Sequence, residues 1–251
     1  MRYLIFIMML INGLSGFGQY PKVFVNQGSV TVNNRFKFPA GETFDIRPNL
    51  QISLNANSII TCKRGDKISA HSGVKIMTYE EVMSVLDQSK VITDSYFENM
   101  FSGNYKLNKE AYGSVGRDLG NERPANYYYP IDSMIVITDS VILEIGNSKT
   151  QLLGQFTFEM PNGDTFKIAP NKNSIKVAAV NPGEHHWGCD MILDGEEFEF
   201  DNIFFVPDLE TKKRIRKEYQ SFQSGLIGMD KIARQYLLKS WLNERSYYFL
   251  D

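Results

Sequence analysis

VFVNQGSVTVNNRFKFPAGETFDIRPNLQISLNANSIITCKRGDKI, residues 23–68, alternates between apolar and polar side chains. The apolar positions are Val23 and Val25, Val30 and Val32, Phe36 and Phe38, Phe44 and Ile46. They continue with Leu50, Ile52 and Leu54, then Ile60 and Cys62, and Ile68 resumes the pattern. Between these runs stand Asn33-Asn34, Pro39-Ala40-Gly41, Pro48-Asn49, Asn55-Ala56-Asn57-Ser58 and Lys63-Arg64-Gly65-Asp66. Asn, Gly and Pro turn a chain at little steric cost, so each break reads as a turn. Period-two patterning puts every second side chain on one face of a strand. Short runs of this kind with regular turns predict a small all-β domain over residues 19–77.

Toward the C-terminus the period changes. Thr78 with Glu81 three positions later has capping-box spacing, and Val82, Val85 and Leu86 mark a helical face. Phe97, Met100, Phe101 and Tyr105 extend the helical character, and Gly113 to Gly120 reads as a linker. Residues 78–129 are therefore expected to be helix and linker. From 130 to 207 strands return, with candidates at Met134–Thr138, Val141–Ile145, Leu152–Phe158, Thr165–Ala169, Ile175–Val180, His185–Leu193 and Phe198–Val206. Pro161-Asn162-Gly163-Asp164 is a hairpin turn. So many short strands in this span predict an antiparallel β-sandwich. Residues 208–251 read as a helical tail. Asp208 is its cap, and Ile215, Tyr219 and Phe222 form one stripe. Lys212, Lys213, Arg214, Arg216 and Lys217 are placed on the solvent side. Ser224-Gly225 breaks the helix, and Asp230 starts a second one with Ile232, Tyr236, Leu237, Trp241 and Leu242 on one face. The fold class expected is mainly β with a C-terminal helical hairpin.

Toward the N-terminus, Arg2 precedes an apolar run from Tyr3 to Ile11. Small residues Ser15-Gly16-Phe17-Gly18 follow. This is the layout of a secretory signal peptide over residues 1–18, and the run is short for a membrane span. The rest of the sequence holds no stretch long and apolar enough to cross a membrane. Export and an extracytoplasmic location, periplasmic or at the cell surface, are expected. Cys62 and Cys189, the two cysteines, fall in different predicted domains and read as buried apolar residues rather than a bridge. A net charge of −2 gives no basic field to hold a phosphate backbone, which argues against nucleic acid.

The turns and alternation of residues 23–68 resemble the extracytoplasmic domain of the iron-dicitrate sensor (FecR-type) family. The points of likeness are Gly28, Val30-Thr31-Val32-Asn33, Gly41-Glu42 and Ala56-Asn57-Ser58. The resemblance implies the β module and not sigma-factor regulation. Asn181-Pro182-Gly183-Glu184 leading into Trp187 and Cys189 resembles a strand of fibronectin type III-like and immunoglobulin-like domains. This implies an Ig-like sandwich, as in multi-domain proteins of the bacterial envelope.

His185-His186 and Cys189 carry zinc-type donors. Adjacent strand residues point to opposite faces, so His186 leaves the other two, and His71 is the one histidine besides them. No metal and no cofactor is expected. Arg64-Gly65-Asp66 matches an adhesion tripeptide but is explained by turn chemistry. Asp190, Asp194, Glu196, Glu197, Glu199 and Asp201 resemble a cation cluster, yet they alternate with Phe198 and Phe200 as on a half-buried strand. No nucleophile elbow, phosphate loop or dinucleotide fingerprint is present, and His71 with the serines shows no triad spacing. The expectation is a binding or scaffold protein without catalysis. Tyr236, Trp241, Tyr247, Tyr248 and Phe249 on the tail are the candidate interface, for an envelope protein or for self-association. The alternative is glycan or cell-wall binding, with Tyr127, Tyr128 and Tyr129 as stacking residues.

Overall fold

The computed structural model describes residues 20–102, 128–130, 133–145, 156–168, 174–178, 181–193 and 196–248. The signal segment, the Gly113–Gly120 stretch, Tyr127 and Phe249 lie outside the described residues. The chain divides into two compact units, one of residues 1–107 with 224–235, the other of 108–223 with 236–251. The fold is mainly β with a C-terminal pair of helices.

The first unit holds β1 (Lys22–Gln27), β2 (Ser29–Val32), β3 (Phe36–Pro39), β4 (Thr43–Asp45), β5 (Gln51–Leu54), β6 (Ile59–Arg64), β7 (Lys67–Ser72) and β8 (Lys75–Thr78). Two antiparallel sheets result, ordered β4-β1-β6-β7 and β3-β2-β5-β8. The alternation read from the sequence places Val23, Val25, Ile60 and Cys62 on the inner face of one. It places Val30, Ile52, Leu54 and Met77 on the inner face of the other, and these side chains form one buried cluster. Asn33 and Asn34 both have positive φ, 49° and 54°, the geometry a tight two-residue hairpin needs.

Residues 78–102 belong to this unit and are more than a helix leading to a linker. α1 (Tyr79–Gln88) starts at Thr78, whose side chain accepts from the Glu81 backbone while Glu81 accepts from the Thr78 N–H. Its Val82 and Leu86 join the inter-sheet cluster. α2 (Ser95–Phe101), capped by Asp94, buries Tyr96, Phe97, Met100 and Phe101. Phe101 meets Phe24 edge-on at 6.2 Å, which covers the outer face of the β1 sheet.

The edge of β7 is shielded too. Val91 bridges to Lys67, and the Ile92 N–H donates to the Asp66 carbonyl. Residues 224–235 complete the cover, with Gly225 against Ile92 and Asp230 accepting from the Ser72 N–H at 3.1 Å. An uncovered edge strand is a template for unwanted pairing, and this edge is closed.

The second unit holds β9 (Tyr128–Tyr129), β10 (Met134–Val136), β11 (Ser140–Ile145), β12 (Phe156–Glu159), β13 (Thr165–Ile168), β14 (Ser174–Ala178), β15 (Gly183–Leu193) and β16 (Glu196–Val206). α3 (Leu209–Gly225) and α4 (Lys231–Glu244) follow, and then β17 (Tyr247–Tyr248). Every strand candidate of this region has a strand within its described residues. The sheets run β13-β12-β15-β16-β10-β17 and β14-β11-β9. Their core joins Met134, Val136, Phe158, Trp187, Phe204, Val206 and Tyr248 from the first to Val141 and Leu143 from the second. The pairing is antiparallel except that β10 runs parallel to both β16 and β17.

The tail is therefore not wholly helical, since its last described residues form a strand against Ile135 and Val136. Lys212 and Arg216 also depart from the expected solvent side. Lys212 is buried, its ammonium donating to the Thr138 carbonyl at 3.3 Å and reaching Asp139 at 3.4 Å. The Arg216 guanidinium donates to the Ile137 carbonyl at 3.0 Å. Lys212 buries its aliphatic stem, Arg216 stays partly exposed, and both fasten the turn between β10 and β11.

Candidate functional site

The aromatic residues of the tail are mostly interior. Tyr236, Trp241 and Tyr248 are buried and Tyr247 is half-buried. Trp241 stacks on Phe222 at 5.3 Å, tilts against Tyr219 and Tyr247, and carries the Arg245 guanidinium 4.3 Å above its ring. The Tyr248 hydroxyl accepts from the Ile142 N–H at 3.0 Å. Of the apolar face that helical spacing left for a partner, Tyr236, Leu237 and Trp241 are thus covered within the chain itself, whereas Ile232 is exposed. Tyr128 and Tyr129 form β9, where they pair with Ile145 and Glu144.

The two vicinal histidines separate as strand geometry requires. His185 points into the sandwich, its ring packed against Phe158 and Phe204 at 5.3 and 5.0 Å, with those two rings 6.1 Å from each other. Burial lowers its pKa, opposed by a 2.7 Å hydrogen bond between Nε2 and the Asn181 carbonyl. His186 faces the other way and meets Glu184 at 3.0 Å. The side chains of Cys189 and of the acidic run Asp190 to Asp201 lie outside the described residues, although their backbone pairs throughout the β15–β16 ladder. Among the described residues no group of three His, Cys, Asp or Glu is arranged to hold a metal.

His71 lies in a buried chain that its sequence neighbours do not announce. Its Nε2 is 3.2 Å from Ser69 Oγ, and its Nδ1 is 3.8 Å from Asp230 Oδ2. Ser69 in turn bonds the Cys62 thiol. Burial, with Lys75 as a further positive neighbour, lowers the His71 pKa to about 4, so the ring is neutral at pH 7. Burial pushes the Cys62 thiol up to about 12, which leaves it a protonated and unreactive core residue. Ser, His and Asp stand in a triad-like order here, but Ser69 is closed to solvent and cannot meet a substrate. The chain is a structural relay that joins β7 to the turn before α4.

What the first unit offers to solvent is of two kinds. One is a strip of aliphatic side chains carried by the segments that flank β7 at its two ends. Val74 is 81% exposed, Val91 62%, Ile76 60%, Ile227 58% and Ile232 47%. Contacts already described tie their segments to β7: Val91 bridges Lys67, Ile227 and Ile232 flank Asp230, and Val74 lies two residues beyond Ser72. Lysines adjoin the strip in sequence, at Lys75, Lys90 and Lys231.

The other is an open cleft of about 370 Å³ beside the β6–β7 hairpin, lined by Tyr20, Lys22, Lys63, Arg64, Gly65, Asp66, Glu98, Phe101 and Ser102. Lys63 pairs with Glu98 of α2, and its ammonium lies 5.9 Å from the Phe101 ring centre. Gly65 has φ +58° at the tip of the β6–β7 hairpin, which confirms the turn expected there. The Arg64 guanidinium folds back on α1, 3.5 Å from Asp87 and 3.3 Å from the Met83 sulfur. An adhesion tripeptide needs that side chain presented outward, and here it is not.

Neither the scan of protein-family models nor the search of curated proteins finds a match to this chain. Among the described residues no helix is long and apolar enough to cross a membrane.

Proposed function

We propose that the chain is an exported binding or scaffold protein of the cell envelope, acting through protein–protein recognition without bond making. The signal-like N-terminus, the FecR-type resemblance of residues 23–68 and the two β units support this reading. The observation that carries it is the aliphatic strip of Val74, Ile76, Val91, Ile227 and Ile232. These are large apolar side chains left in water on segments that the fold otherwise ties down. Isolated exposed apolar residues are ordinary, whereas several on neighbouring segments that the fold ties down favour an interaction surface. Lysines beside the strip select a partner whose own aliphatic face is flanked by carboxylates.

The test is a photo-crosslinking residue placed at position 74 of the exported protein in its native envelope. A second one at position 164, in the exposed β12–β13 turn, is the control. One discrete protein adduct from position 74, absent from position 164 and lost in the Ile232→Asp variant, is the expected result. Equal adducts from both positions, or none from position 74, would overturn the proposal.

A further inference from the structure

The cleft beside the β6–β7 hairpin differs in chemistry from the aliphatic strip, and none of the strip's five residues lines it. In the β1–β6 register Lys22 stands directly opposite Lys63. Like charges directly opposite on neighbouring strands repel, so an anion beside the pair is favourable. Glu98 offsets Lys63. Asp45 faces Lys22 in register across β4, yet no ion pair joins them. The cleft as a whole carries Lys22, Lys63 and Arg64 against Asp66 and Glu98. Glu98 answers Lys63 within the cleft and Asp87 of α1 answers Arg64, which leaves Lys22, on the exposed side, as the lining cation without an ion pair among the described residues.

The walls supply a second kind of contact. Tyr20 is 45% exposed, with its edge against Tyr79 and the Arg47 guanidinium 5.7 Å from its ring centre. A ring held in this way is a stacking platform that loses little freedom when a ligand covers it. Asp66 and Glu98 are acceptors for hydroxyl donors at the rim. The volume is at the small end of the range for ligand pockets, roughly 300–1,000 Å³.

We infer that this cleft binds a carboxylate-bearing sugar, such as a uronic-acid unit of an exported or cell-wall glycan. The carboxylate lies between Lys22 and Lys63, the sugar ring lies on Tyr20, and its hydroxyls donate to Asp66 and Glu98. A free carboxylate or an acidic peptide shares the first contact only.

The experiment is calorimetric titration of the mature full-length protein with four probes: a uronic-acid disaccharide, the matching neutral disaccharide, acetate, and a glutamate-containing tripeptide. The uronic-acid disaccharide is expected to bind tightest, with the neutral sugar weaker by about tenfold, the size of one lost charge contact. Acetate and the tripeptide are expected to be weaker still. Lys22→Gln, a change at an exposed strand start, should abolish the preference for the acidic sugar, and Tyr20→Ala should weaken both sugars. Equal binding of the two disaccharides overturns the inference, as does tighter binding of the tripeptide, no binding of any probe, or an unchanged preference in Lys22→Gln. Loss of the strip by Ile232→Asp leaves these titrations unaltered, so the two sites fail or hold separately.

Discussion

The first unit and the second fill their interiors with different materials. In the first, buried polar side chains are matched to one another. Asn26 accepts from Thr61 at 2.7 Å, Ser58 donates to the Ser29 carbonyl at 2.6 Å, and Ser69 joins His71 to Cys62. In the second, rings dominate: Phe158, His185 and Phe204 pack together as a cluster, and Trp241 gathers Phe222, Tyr219 and Tyr247. Its buried polar atoms are less well matched, with His185 Nδ1 and Asn202 Nδ2 lacking hydrogen-bond partners among the described residues. Polar networks respond to charge and backbone geometry, whereas ring clusters respond to lost volume. The two units should therefore be sensitive to different perturbations.

The largest effect is expected from truncating the ring cluster. Trp241→Ala removes a side chain that is 1% exposed and should cost about 3–5 kcal/mol, read as a lowered midpoint in urea unfolding of the full chain. A cost under about 1 kcal/mol would mean that the tail does not complete the second unit's core.

Acid should act on the first unit instead. His71 is neutral when folded, with a pKa lowered from 6.5 to about 4. Unfolding lets it take up a proton more readily, so its contribution is whole above pH 6.5 and is lost as pH falls toward 4. The loss is at most about 3 kcal/mol, from the size of the shift. Urea titrations at a series of pH values should show this slope in the wild type and a flatter one in His71→Gln. An identical slope in the variant would remove His71 from the account.

Backbone geometry gives the smallest and most selective test. Gly28 has φ +71°, and an added Cβ would lie 2.7 Å from the Asn57 carbonyl oxygen. Gly65 has φ +58° with open space around it. Gly28→Ala should cost about 2 kcal/mol and Gly65→Ala about 1 kcal/mol, because only the first adds a clash with backbone to the strain. Equal melting shifts would mean that the β1–β2 connection yields where the structure holds it tight.

The strands of both units were legible because alternation and turn residues are local signals. Asn33-Asn34, Gly65 and Gly163 all take positive φ as their types suggest. The capping box at Thr78 was legible for the same reason. What the sequence concealed depends on distant partners. β17 is two residues long, too short for any period, and exists because Ile135 and Val136 pair with it. Lys212 reads as a solvent residue until the Thr138 carbonyl receives its ammonium. His71 and Asp230 are far apart in the chain, so no spacing rule links them. The tail aromatics were seen as an apolar face, but helical spacing does not say what covers a face. One signal of the strip was present and unused: Val74, Ile76, Val91 and Ile232 each stand next to a lysine, an apolar residue placed where the chain expects water.

The most direct test of the central claim compares two full-length variants in the native envelope, each first shown by circular dichroism to be folded. Ile232→Asp alters the exposed strip, and Tyr247→Ser alters the least buried described aromatic of the tail's candidate set. The adduct formed from position 74 should vanish with Ile232→Asp and persist with Tyr247→Ser. Persistence with the first and loss with the second would return recognition to the aromatic tail and contradict the account.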